Sequence, residues 1–373
     1  MNGNKNKTVT SGLMMILSCL ITGYLFAMAL EKMQFVEMNS PISFIRNIFF
    51  IFVSFFVCSF IQIIIHESGH LIFGLLTGYT FKSFRVGSFV FLKQNGKLVV
   101  RKFKLAGTAG QCLMGPPEYS DDMPIVLYNL GGVIMNLVSA AVFYLLYRLF
   151  PNVRILSPIL VLLALLGVLF AVMNGVPLDM SLVSNDGKNL SDALKDKRAR
   201  KALWAQLKIV ELQREGMTLA DMDDSLFAVQ GHENNLLVNT IRVMKCSHLL
   251  GQGYMDDAYK MMKALTDGDA VINNIHRQIL MSDCLYCELM TENNPNTVEH
   301  YYTSCAQLFK NMKDSPDVIR TRYTYALIHD KDKEKAEQFK KQMDKVAKTY
   351  PYPQEIVLER KLMEDAAEKA DCL

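Results

Sequence analysis

The sequence predicts a mainly α-helical protein with a four-helix polytopic membrane domain, a small β-hairpin after the second helix, and a second, soluble all-α domain. Half of the 373 residues are hydrophobic, and the uncharged runs are concentrated in the first half. The second half is rich in Lys, Asp and Glu. This uneven distribution predicts two domains, which we divide at residues 1–190 and 191–373.

Four uncharged runs have the length of a membrane span, which is about 20 residues for a hydrocarbon core of about 30 Å. They extend over Thr8–Leu30, Asn47–Ile65, Ile125–Tyr147 and Ile155–Leu178. We predict helices at about 8–30, 46–76, 124–148 and 155–176. The first run also resembles a cleaved signal peptide, with Ala27 and Ala29 as a small-residue cleavage site, but its length favours a retained anchor.

Lysine and arginine near the helix ends predict the orientation of the spans. Lys5 and Lys7 precede the first helix, and the loop between the second and third helices is the most basic of the short loops. Its basic residues are Lys82, Arg85, Lys93, Lys97, Arg101, Lys102 and Lys104. Both termini are therefore predicted to face the cytoplasm, with the chain in a bacterial cytoplasmic membrane. The net charge of +3 is small and the second half mixes both signs, so we expect a lipid bilayer and no nucleic acid among the partners.

Residues 79–104 predict the β-hairpin, because apolar and polar residues alternate on both sides of Asn95-Gly96, a strong turn signal. Gly78 is the predicted stop of the second helix. The next segment, Ala106–Glu118, is rich in glycine and proline, and we predict a connector without helix or regular strand. This connector is either a plain turn or a loop that lets backbone approach a substrate.

The second domain is predicted to consist of amphipathic helices. Ser315-Pro316 begins one helix, because a capping residue precedes proline at the first helical position. His248–Met262 has the pattern of two helices joined by a glycine turn. Helix pairs recur at irregular spacings of about 35 to 45 residues, which indicates weakly marked tetratricopeptide-like stacking. Such a domain binds a peptide or partner protein on a concave face, and a helical bundle without a particular partner is the alternative.

Eight cysteines are scattered along the chain without a dense framework, which predicts reduced thiols. Cys284 and Cys287 form a CxxC motif, with His276 and His300 nearby. A spacing of three residues on a helix is more typical of two buried thiols than of a metal or redox site.

An HExxH motif, HESGH at residues 66–70, lies at the end of the second uncharged run. His66 and His70 are four residues apart, so on a helix they project from one face and suit two ligands of a tetrahedral zinc ion. Glu67 can reach a metal-bound water as general base without ligating. Ionisable groups in a membrane span are costly unless they pair, bind a metal or line a wet cavity. The alternative is two histidines hydrogen-bonded inside the bundle, with Glu67 at a water-filled cleft.

A catalytic zinc normally takes a third protein ligand. The second and fourth helices run in the same direction in the predicted orientation, so their carboxyl ends lie at one face of the membrane. Asn174 and Pro177 interrupt the fourth helix, and Asp179 and Asp186 follow it. Either aspartate completes the site on this reasoning.

These motifs resemble those of the site-2 proteases, the intramembrane zinc metalloproteases of peptidase family M50. HESGH matches the HExxH of that family, and GGVIMN at 131–136 resembles its small-residue and asparagine motif. NGVP followed by SNDG resembles its Asn-Pro stretch ending in Asp-Gly. The resemblance covers about residues 44–190. One departure is that eight residues lie between Pro177 and Asp186, whereas the element of the family is compact.

The resemblance implies a zinc metalloendopeptidase that hydrolyses peptide bonds of membrane-anchored peptides or proteins. It implies that Zn²⁺ is held by His66, His70 and Asp186. It further implies that Glu67 is the catalytic base and that Asn136 assists binding of substrate or its oxyanion. A hydrogen bond between helices is the alternative role for Asn136. The helical domain is then expected to bind substrate or a regulator.

Depth along the helices is consistent with one site. His66 lies about ten residues before the predicted cytoplasmic end of its helix, or roughly 15 Å deep at 1.5 Å per residue. Asn136 lies about a dozen residues into the next helix from the same face, which is a similar depth. A cavity open to the cytoplasm can therefore serve both residues.

An edge strand of the hairpin between Phe81 and Phe103 is expected to pair with an unwound substrate, because added strands are held by main-chain hydrogen bonds. Two other functions stay open. One is a membrane zincin similar to the prenyl-protein proteases, whose third ligand is a Glu on a later helix. The other is a non-catalytic membrane scaffold that binds proteins through its helical domain.

Overall fold

A computed structural model describes residues 2–32, 41–94, 97–102, 109–178, 184–229, 234–350 and 352–372. Within these ranges the protein is mainly helical, with fourteen α-helices and four strands. The mainly α fold class is confirmed at this level, and the solubility of the second domain stays a prediction. The chain divides into two compact units, residues 1–87 with 105–191 and residues 88–104 with 192–373.

Four helices are long and apolar enough to cross a membrane, as predicted. They are α1 (Asn2–Lys32), α2 (Pro41–Leu76), α3 (Ile125–Leu149) and α4 (Leu156–Gly175). The third and fourth helices begin and end within a residue of the predicted bounds. The second begins at Pro41 instead of near residue 46, because proline is well tolerated in the first turn of a helix.

The first unit is built around the contacts of α2 with α3 and α4, and α1 packs against α4. A buried leucine-rich stripe on α4 meets Cys58 of α2 in a small apolar core. Many large apolar side chains of α1, α2 and α3 stay exposed, among them Phe49, Phe52 and Phe56. Soluble monomers rarely expose contiguous apolar surface of this extent, and a bilayer accommodates it.

Four strands follow α2, and they form one antiparallel sheet in the order β3-β2-β1-β4. The strands are β1 (Thr80–Val86), β2 (Phe89–Gln94), β3 (Lys97–Lys102) and β4 (Gly110–Gly115). Strands β2 and β3 pair without interruption, as the predicted hairpin requires. The predicted turn at Asn95 and Gly96 lies outside the described residues. Gly78 lies two residues after Leu76, the last residue of α2, and has a φ of +87°, so α2 ends at the predicted stop.

The predicted connector over 106–118 is wrong for residues 110–115, which form β4. This strand pairs with β1, from Val86 opposite Gly110 to Thr80 opposite Gly115. The pairing partner decides the structure here, because β1 offers a ladder of backbone groups. Glycine weakens a strand without forbidding it. Residues 106–108 lie outside the described part of the chain.

Ten further helices follow α4 in the described residues. They are α5 (Asp186–Lys195), α6 (Lys197–Arg214), α7 (Leu236–Gly251), α8 (Met255–Asp267), α9 (Asn274–Met290), α10 (Pro295–Ser304), α11 (Ala306–Asn311), α12 (Pro316–Thr324), α13 (Lys333–Ala347) and α14 (Pro353–Asp371). Helices α7 to α14 enclose one continuous apolar core.

Two predicted details of the second unit are confirmed. α12 begins at Pro316, with Ser315 at the capping position. α7 and α8 are joined by a short turn in which Gly253 has a φ of +88°, a left-handed conformation that favours glycine. Tetratricopeptide-like stacking stays a prediction.

Candidate metal centre

The two histidines of the HExxH motif lie on the face of α2 that packs against α3. His66 and His70 are 7% and 8% exposed, and their ring centroids are 4.9 Å apart. The helices approach closely because glycines face each other, since a Cβ atom at Gly131 would lie 2.6 Å from the carbonyl oxygen of Gly69. A Cβ atom at Gly132 would lie 2.6 Å from Nε2 of His66. These glycines leave the space in which the His66 imidazole lies against α3.

Asp186 is the first residue of α5, and the preceding residue, Asn185, anchors it to the end of α4. Asn185 Nδ2 donates to the carbonyl oxygens of Met173 and Val176, at 2.7 and 2.6 Å. Its Oδ1 accepts from the backbone N–H of Lys188 at 2.9 Å. The first two bonds satisfy carbonyl groups at the C-terminus of α4, and the third caps the N-terminus of α5. One amide side chain therefore determines where Asp186 lies.

The carboxylate of Asp186 stays ionised in this setting. Burial opposes its ionisation, but the imidazoles of His70 and His66 outweigh burial and hold the pKa of Asp186 below its ordinary value. The position at the N-terminus of α5 also favours negative charge. Asp186 therefore offers a charged oxygen at neutral pH, which is the form in which a carboxyl group binds a metal.

Three potential ligand atoms converge in the first unit. Nε2 of His66 and Oδ2 of Asp186 are 3.1 Å apart, Nε2 of His70 and the same oxygen are 3.3 Å apart, and the two Nε2 atoms are 3.2 Å apart. Zinc bound tetrahedrally at about 2.0 to 2.2 Å separates neighbouring ligand atoms by about 3.3 to 3.5 Å. The spacing of the three atoms therefore fits one zinc ion with small adjustments.

The other nitrogen of each imidazole has a hydrogen-bond acceptor. Nδ1 of His70 lies 2.8 Å from the carbonyl oxygen of Tyr128, and Nδ1 of His66 lies 2.7 Å from Oδ1 of Asn136. Histidine ligands of metals usually donate their second N–H in this way. A neutral ring that donates from Nδ1 has a lone pair at Nε2. Two states satisfy the cluster: a cation bound by all three atoms, or an imidazolium that donates to Asp186.

Glu67 lies beside this group on α2 without belonging to it, and it is 8% exposed. A Cβ atom at Gly110 of β4 would lie 2.5 Å from Oε1 of Glu67, so the strand passes directly over the carboxylate. The backbone N–H of Cys112 in the same strand hydrogen-bonds to it. Strand β4 thus holds the carboxylate next to the three potential ligand atoms.

Asn136 lies behind His66 and is fully buried. Its Nδ2 donates to the backbone oxygen and to Oε1 of Gln62, at 3.1 and 2.7 Å. Its amide is therefore engaged with α2 on both sides, as in the helix-to-helix alternative. Neither N–H of Asn136 is left to reach a substrate oxyanion in this arrangement.

Three residues of the site were not predicted from the sequence. Gln62 carried a signal, because a polar side chain one turn before His66 in an apolar span is costly unless it is bonded. Asn185 carried a weaker signal, as a capping residue directly before Asp186. Tyr128 contributes a backbone carbonyl, and no sequence pattern identifies which carbonyl faces a histidine.

Among the described residues, His66, His70 and Asp186 are the one group of three or more His, Cys, Asp or Glu ligands close enough to hold a metal ion. The alternative ligand Asp179 lies outside the described residues. Cys284 and Cys287 are free buried thiols, and burial raises the pKa of Cys287 to about 12. Both side chains therefore lack thiolate character at neutral pH.

The chain matches no protein-family model, no curated protein sequence and no solved structure. The fold and the site together describe a class: a mainly helical protein with four helices able to cross a membrane and a buried His-His-Asp group able to hold a metal ion.

Proposed function

We propose that this protein is an intramembrane zinc metalloprotease that hydrolyses peptide bonds of membrane-anchored peptides or proteins. The observation that carries the proposal is the convergence of the two Nε2 atoms and Oδ2 of Asp186 within 3.1 to 3.3 Å. A buried carboxylate, Glu67, lies beside them. A non-catalytic scaffold has no need of that carboxylate, whose burial is costly. The resemblance of the motifs to those of site-2 proteases supports the same reading.

The proposed chemistry divides between the ion and the chain. Zinc held by His66, His70 and Asp186 would polarise a carbonyl group and lower the pKa of a coordinated water from 15.7 to about 7. Glu67 takes the proton of the attacking water and passes it to the leaving nitrogen of the peptide bond. The backbone of Cys112 in β4 contacts the Glu67 carboxylate and holds it beside the three potential ligand atoms.

A direct test compares purified wild type with Glu67→Gln in detergent. Zinc content is measured by elemental analysis, and cleavage is followed on a panel of co-expressed peptides with one membrane span. We expect zinc to be retained and the cleavage rate to fall by about 10²- to 10⁴-fold, because a positioned acid-base group contributes that much.

The matched control is Glu364→Gln, the same chemical change at an exposed position of α14. It should leave both zinc content and cleavage unchanged. Equal cleavage by wild type and Glu67→Gln would remove the protease assignment. Zinc retained by a wild type that cleaves no peptide would favour a binding function for the site.

The proposed route for substrate uses the edge of the sheet. The sheet has two edge strands, β3 and β4. The Cys112 peptide group of β4 is already bound, since its N–H contacts Glu67 and its oxygen accepts from the Tyr128 hydroxyl at 3.3 Å. We therefore propose β3 as the strand that pairs with an unwound substrate.

The pairing register allows a precise substitution in β3. Gln94 lies opposite Lys97 with two residues between them, so this pair exchanges hydrogen bonds and the pairs alternate from there. Val100, opposite Phe91, then directs its N–H away from β2. Val100→Pro should reduce cleavage at unchanged zinc content, and Val100→Ala, which keeps the N–H, should not. Unchanged cleavage by Val100→Pro would reject this role.

We also propose a bacterial cytoplasmic membrane location with both termini inside, and a peptide or protein partner for the helical domain. The basic loop after α2 supports the orientation. Cys372 is an exposed thiol at the C-terminal end. A membrane-impermeant maleimide should label Cys372 only after the cells are opened, in a Cys19→Ser background that removes the other exposed thiol. Labelling of intact cells would reverse the orientation.

A further inference from the structure

Gln62 connects three membrane helices at a point directly behind the metal centre. It is fully buried in α2, one turn before His66. Its Oε1 accepts from Asn136 Nδ2 at 2.7 Å and from Ser139 Oγ at 3.2 Å, both on α3. Its Nε2 donates to the carbonyl oxygen of Leu163 on α4 at 2.8 Å. Each polar atom of this side chain is therefore used, as burial in an apolar span requires.

The backbone carbonyl of Leu163 determines which groups donate and which accept in the hydrogen bonds that link Gln62, Asn136 and His66. The Leu163 carbonyl can only accept, so the nitrogen of the Gln62 amide faces it and the oxygen faces Asn136. The backbone oxygen of Gln62 also accepts from Asn136 Nδ2. Two acceptors thus face the Asn136 nitrogen, and a flipped amide would place oxygen against both. The Asn136 oxygen must therefore face His66.

We propose that Gln62 is a positioning residue of the metal centre, which acts through Asn136 to keep the His66 ring with its hydrogen on Nδ1 and its Nε2 lone pair toward the ion. This inference rests on the zinc site of the proposed function. His70 needs no such residue, because its Nδ1 faces the backbone carbonyl of Tyr128. The two histidine ligands are therefore held by different means, and only the orientation of His66 depends on side chains that substitution can remove.

Packing prevents another group from replacing Gln62. A Cβ atom at Gly167 of α4 would lie 2.8 Å from the backbone oxygen of Asn136 and 3.1 Å from Gln62 Nε2. Gln62 and Asn136 are both 0% exposed. Without the Gln62 side chain, only the backbone oxygen of residue 62 remains of the two acceptors that face the Asn136 nitrogen. A flip of the amide then costs less, and after a flip its N–H₂ faces His66 Nδ1. That arrangement puts the ring hydrogen on Nε2, where it blocks a metal ligand.

The test measures zinc affinity, which does not depend on finding a substrate. Full-length wild type, Gln62→Leu, Gln62→Glu and Ser139→Ala are purified in detergent, and zinc binding is measured by competition with a chromophoric chelator. Gln62→Leu should weaken zinc binding by about 10- to 100-fold, as expected for loss of a group that orients a ligand. Visible absorption of the Co²⁺ form should change with it.

Two variants separate positioning from simple packing. In Gln62→Glu, a buried, neutral carboxyl group keeps an oxygen for Asn136 and an O–H for the Leu163 carbonyl, so this variant should restore affinity to within a few-fold of wild type. Ser139→Ala removes one contact of Gln62 without releasing Asn136, and it should bind zinc like wild type. Wild-type affinity in Gln62→Leu, or no rescue by Gln62→Glu, would overturn the proposal.

A second background keeps the test decisive if Gln62→Leu alone folds poorly. As a carboxylate, the side chain in Asn136→Asp presents an oxygen to His66 whichever way it turns, and its other oxygen then faces the two acceptors of Gln62 in either orientation. Gln62 therefore no longer selects one orientation of this group. Gln62→Leu should then cause little further loss of zinc affinity, and an equal loss in both backgrounds would overturn the proposal. Failure of wild type to bind zinc would contradict the metal site itself. Zinc binding without cleavage would contradict only the protease assignment.

Discussion

Two buried polar clusters, one in each unit, differ in whether donors face acceptors within the cluster. In the second unit Arg320 is 1% exposed, and it donates from Nη2 to Asp283 at 2.6 Å and from Nε to Glu359 at 2.9 Å. Its guanidinium also lies 4.4 Å from the ring centroid of Tyr286. In each of these contacts a hydrogen-bond donor or a cation faces an acceptor or a π-face. In the first unit, by contrast, three atoms that offer lone pairs face one another. They are Nε2 of His66, Nε2 of His70 and Oδ2 of Asp186.

The difference separates a cluster of opposite charges from a group of atoms able to hold a metal ion. Around Arg320 each charged contact joins opposite charges that the protein itself supplies, although Nη1 of Arg320 is buried without a hydrogen-bond partner. The group of His66, His70 and Asp186 brings three electron-rich atoms together, and a cation or an added proton must supply what the protein leaves out. Burial and polarity alone do not distinguish the two clusters. The direction of each hydrogen bond does.

The largest expected effect is loss of metal. Asp186→Ala should abolish zinc binding, because two histidines remain where a catalytic site needs three protein ligands. Zinc should raise the stability of wild type, by about 2.7 kcal/mol at a free concentration of 100 Kd, and leave the variant unchanged. Elemental analysis and thermal unfolding with and without zinc measure both effects.

Two controls accompany Asp186→Ala. Asp122→Ala, at an exposed position before α3, should keep zinc. Asp179→Ala should also keep it, and loss of zinc from Asp179→Ala instead of Asp186→Ala would assign the third ligand to the other aspartate.

The second largest effect concerns the Arg320 cluster. Arg320→Met should cost about 3 to 5 kcal/mol, because it leaves two buried carboxylates without their partner. Combining it with Asp283→Leu and Glu359→Leu should recover most of that loss, since an apolar replacement of the whole cluster is often neutral. Urea unfolding of the full chain is followed by Trp204 fluorescence. This signal reports the second unit, because Trp204 is the one tryptophan of the sequence and lies in α6 of that unit.

The matched control for Arg320→Met is Arg360→Met. Arg360 donates to Asp344 at 2.6 Å, but the two side chains are 46% and 59% exposed. Its loss should cost less than about 1 kcal/mol. Equal costs at the two positions would show that burial does not set the strength of these pairs. Zinc content should be unchanged in both variants.

A smaller effect is expected at Asn185. Asn185→Ala removes the two bonds to the α4 carbonyls and the cap of α5, so Asp186 loses its fixed position. Zinc affinity should fall by about 10- to 100-fold without disappearing, as chelator competition can measure. Asn174→Ala is the control, because Asn174 Nδ2 donates to Phe170 O within α4 at 2.9 Å. Equal zinc affinities of Asn185→Ala and Asn174→Ala would show that Asn185 does not position Asp186.

The last expected effect is a pH dependence of the stability of the second unit, which is small for each pH unit. Burial and the nearby carboxylates of Glu359 and Asp317 raise the pKa of Glu355 to about 7 from an ordinary 4.5, despite a hydrogen bond from Tyr350. The folded state therefore holds a proton that the unfolded state releases between these values. The stability from this group is fully present below pH 4.5 and is lost as pH rises through about 7, on the order of 1 kcal/mol per pH unit.

Glu355→Gln tests this pH dependence, because it removes the titrating group and keeps the side-chain shape. The stability of the variant, again followed by Trp204 fluorescence in urea, should fall less than that of wild type between pH 5 and pH 8. Parallel curves for the two proteins would assign the dependence to other groups.

Local patterns were sufficient to predict much of this protein. Uninterrupted apolar runs predicted four helices able to cross a membrane, because a span of given thickness requires a given length. The four-residue spacing placed His66 and His70 on one face of α2. Both predictions depend only on residues that lie within the same helix. The same reasoning failed for β4, because the partner strand β1 lies more than twenty residues away in the chain.

The choice of Asp186 marks the limit of local reasoning, since the residues after α4 left two aspartates open. In the fold, Asn185 anchors Asp186 and both histidines contact it, whereas Asp179 lies outside the described residues. Asn136 was predicted to assist binding of substrate, but in the fold its amide is bonded to Gln62 and His66. No pattern within α3 indicates that Gln62 and His66 of another helix would occupy it.

By itself, the sequence determined the apolar helices, the histidine pair and the carboxylate between them, because helix period and burial cost act over a few residues. The tertiary structure alone decided which atoms face one another: the carboxylate oxygen of Asp186 at 3.1 Å from His66, the carbonyl behind His70 and the amide behind His66. Hydrogen bonds and metal ligands have strict distances, and segments separated by 58 to 120 residues meet those distances only once the helices have packed.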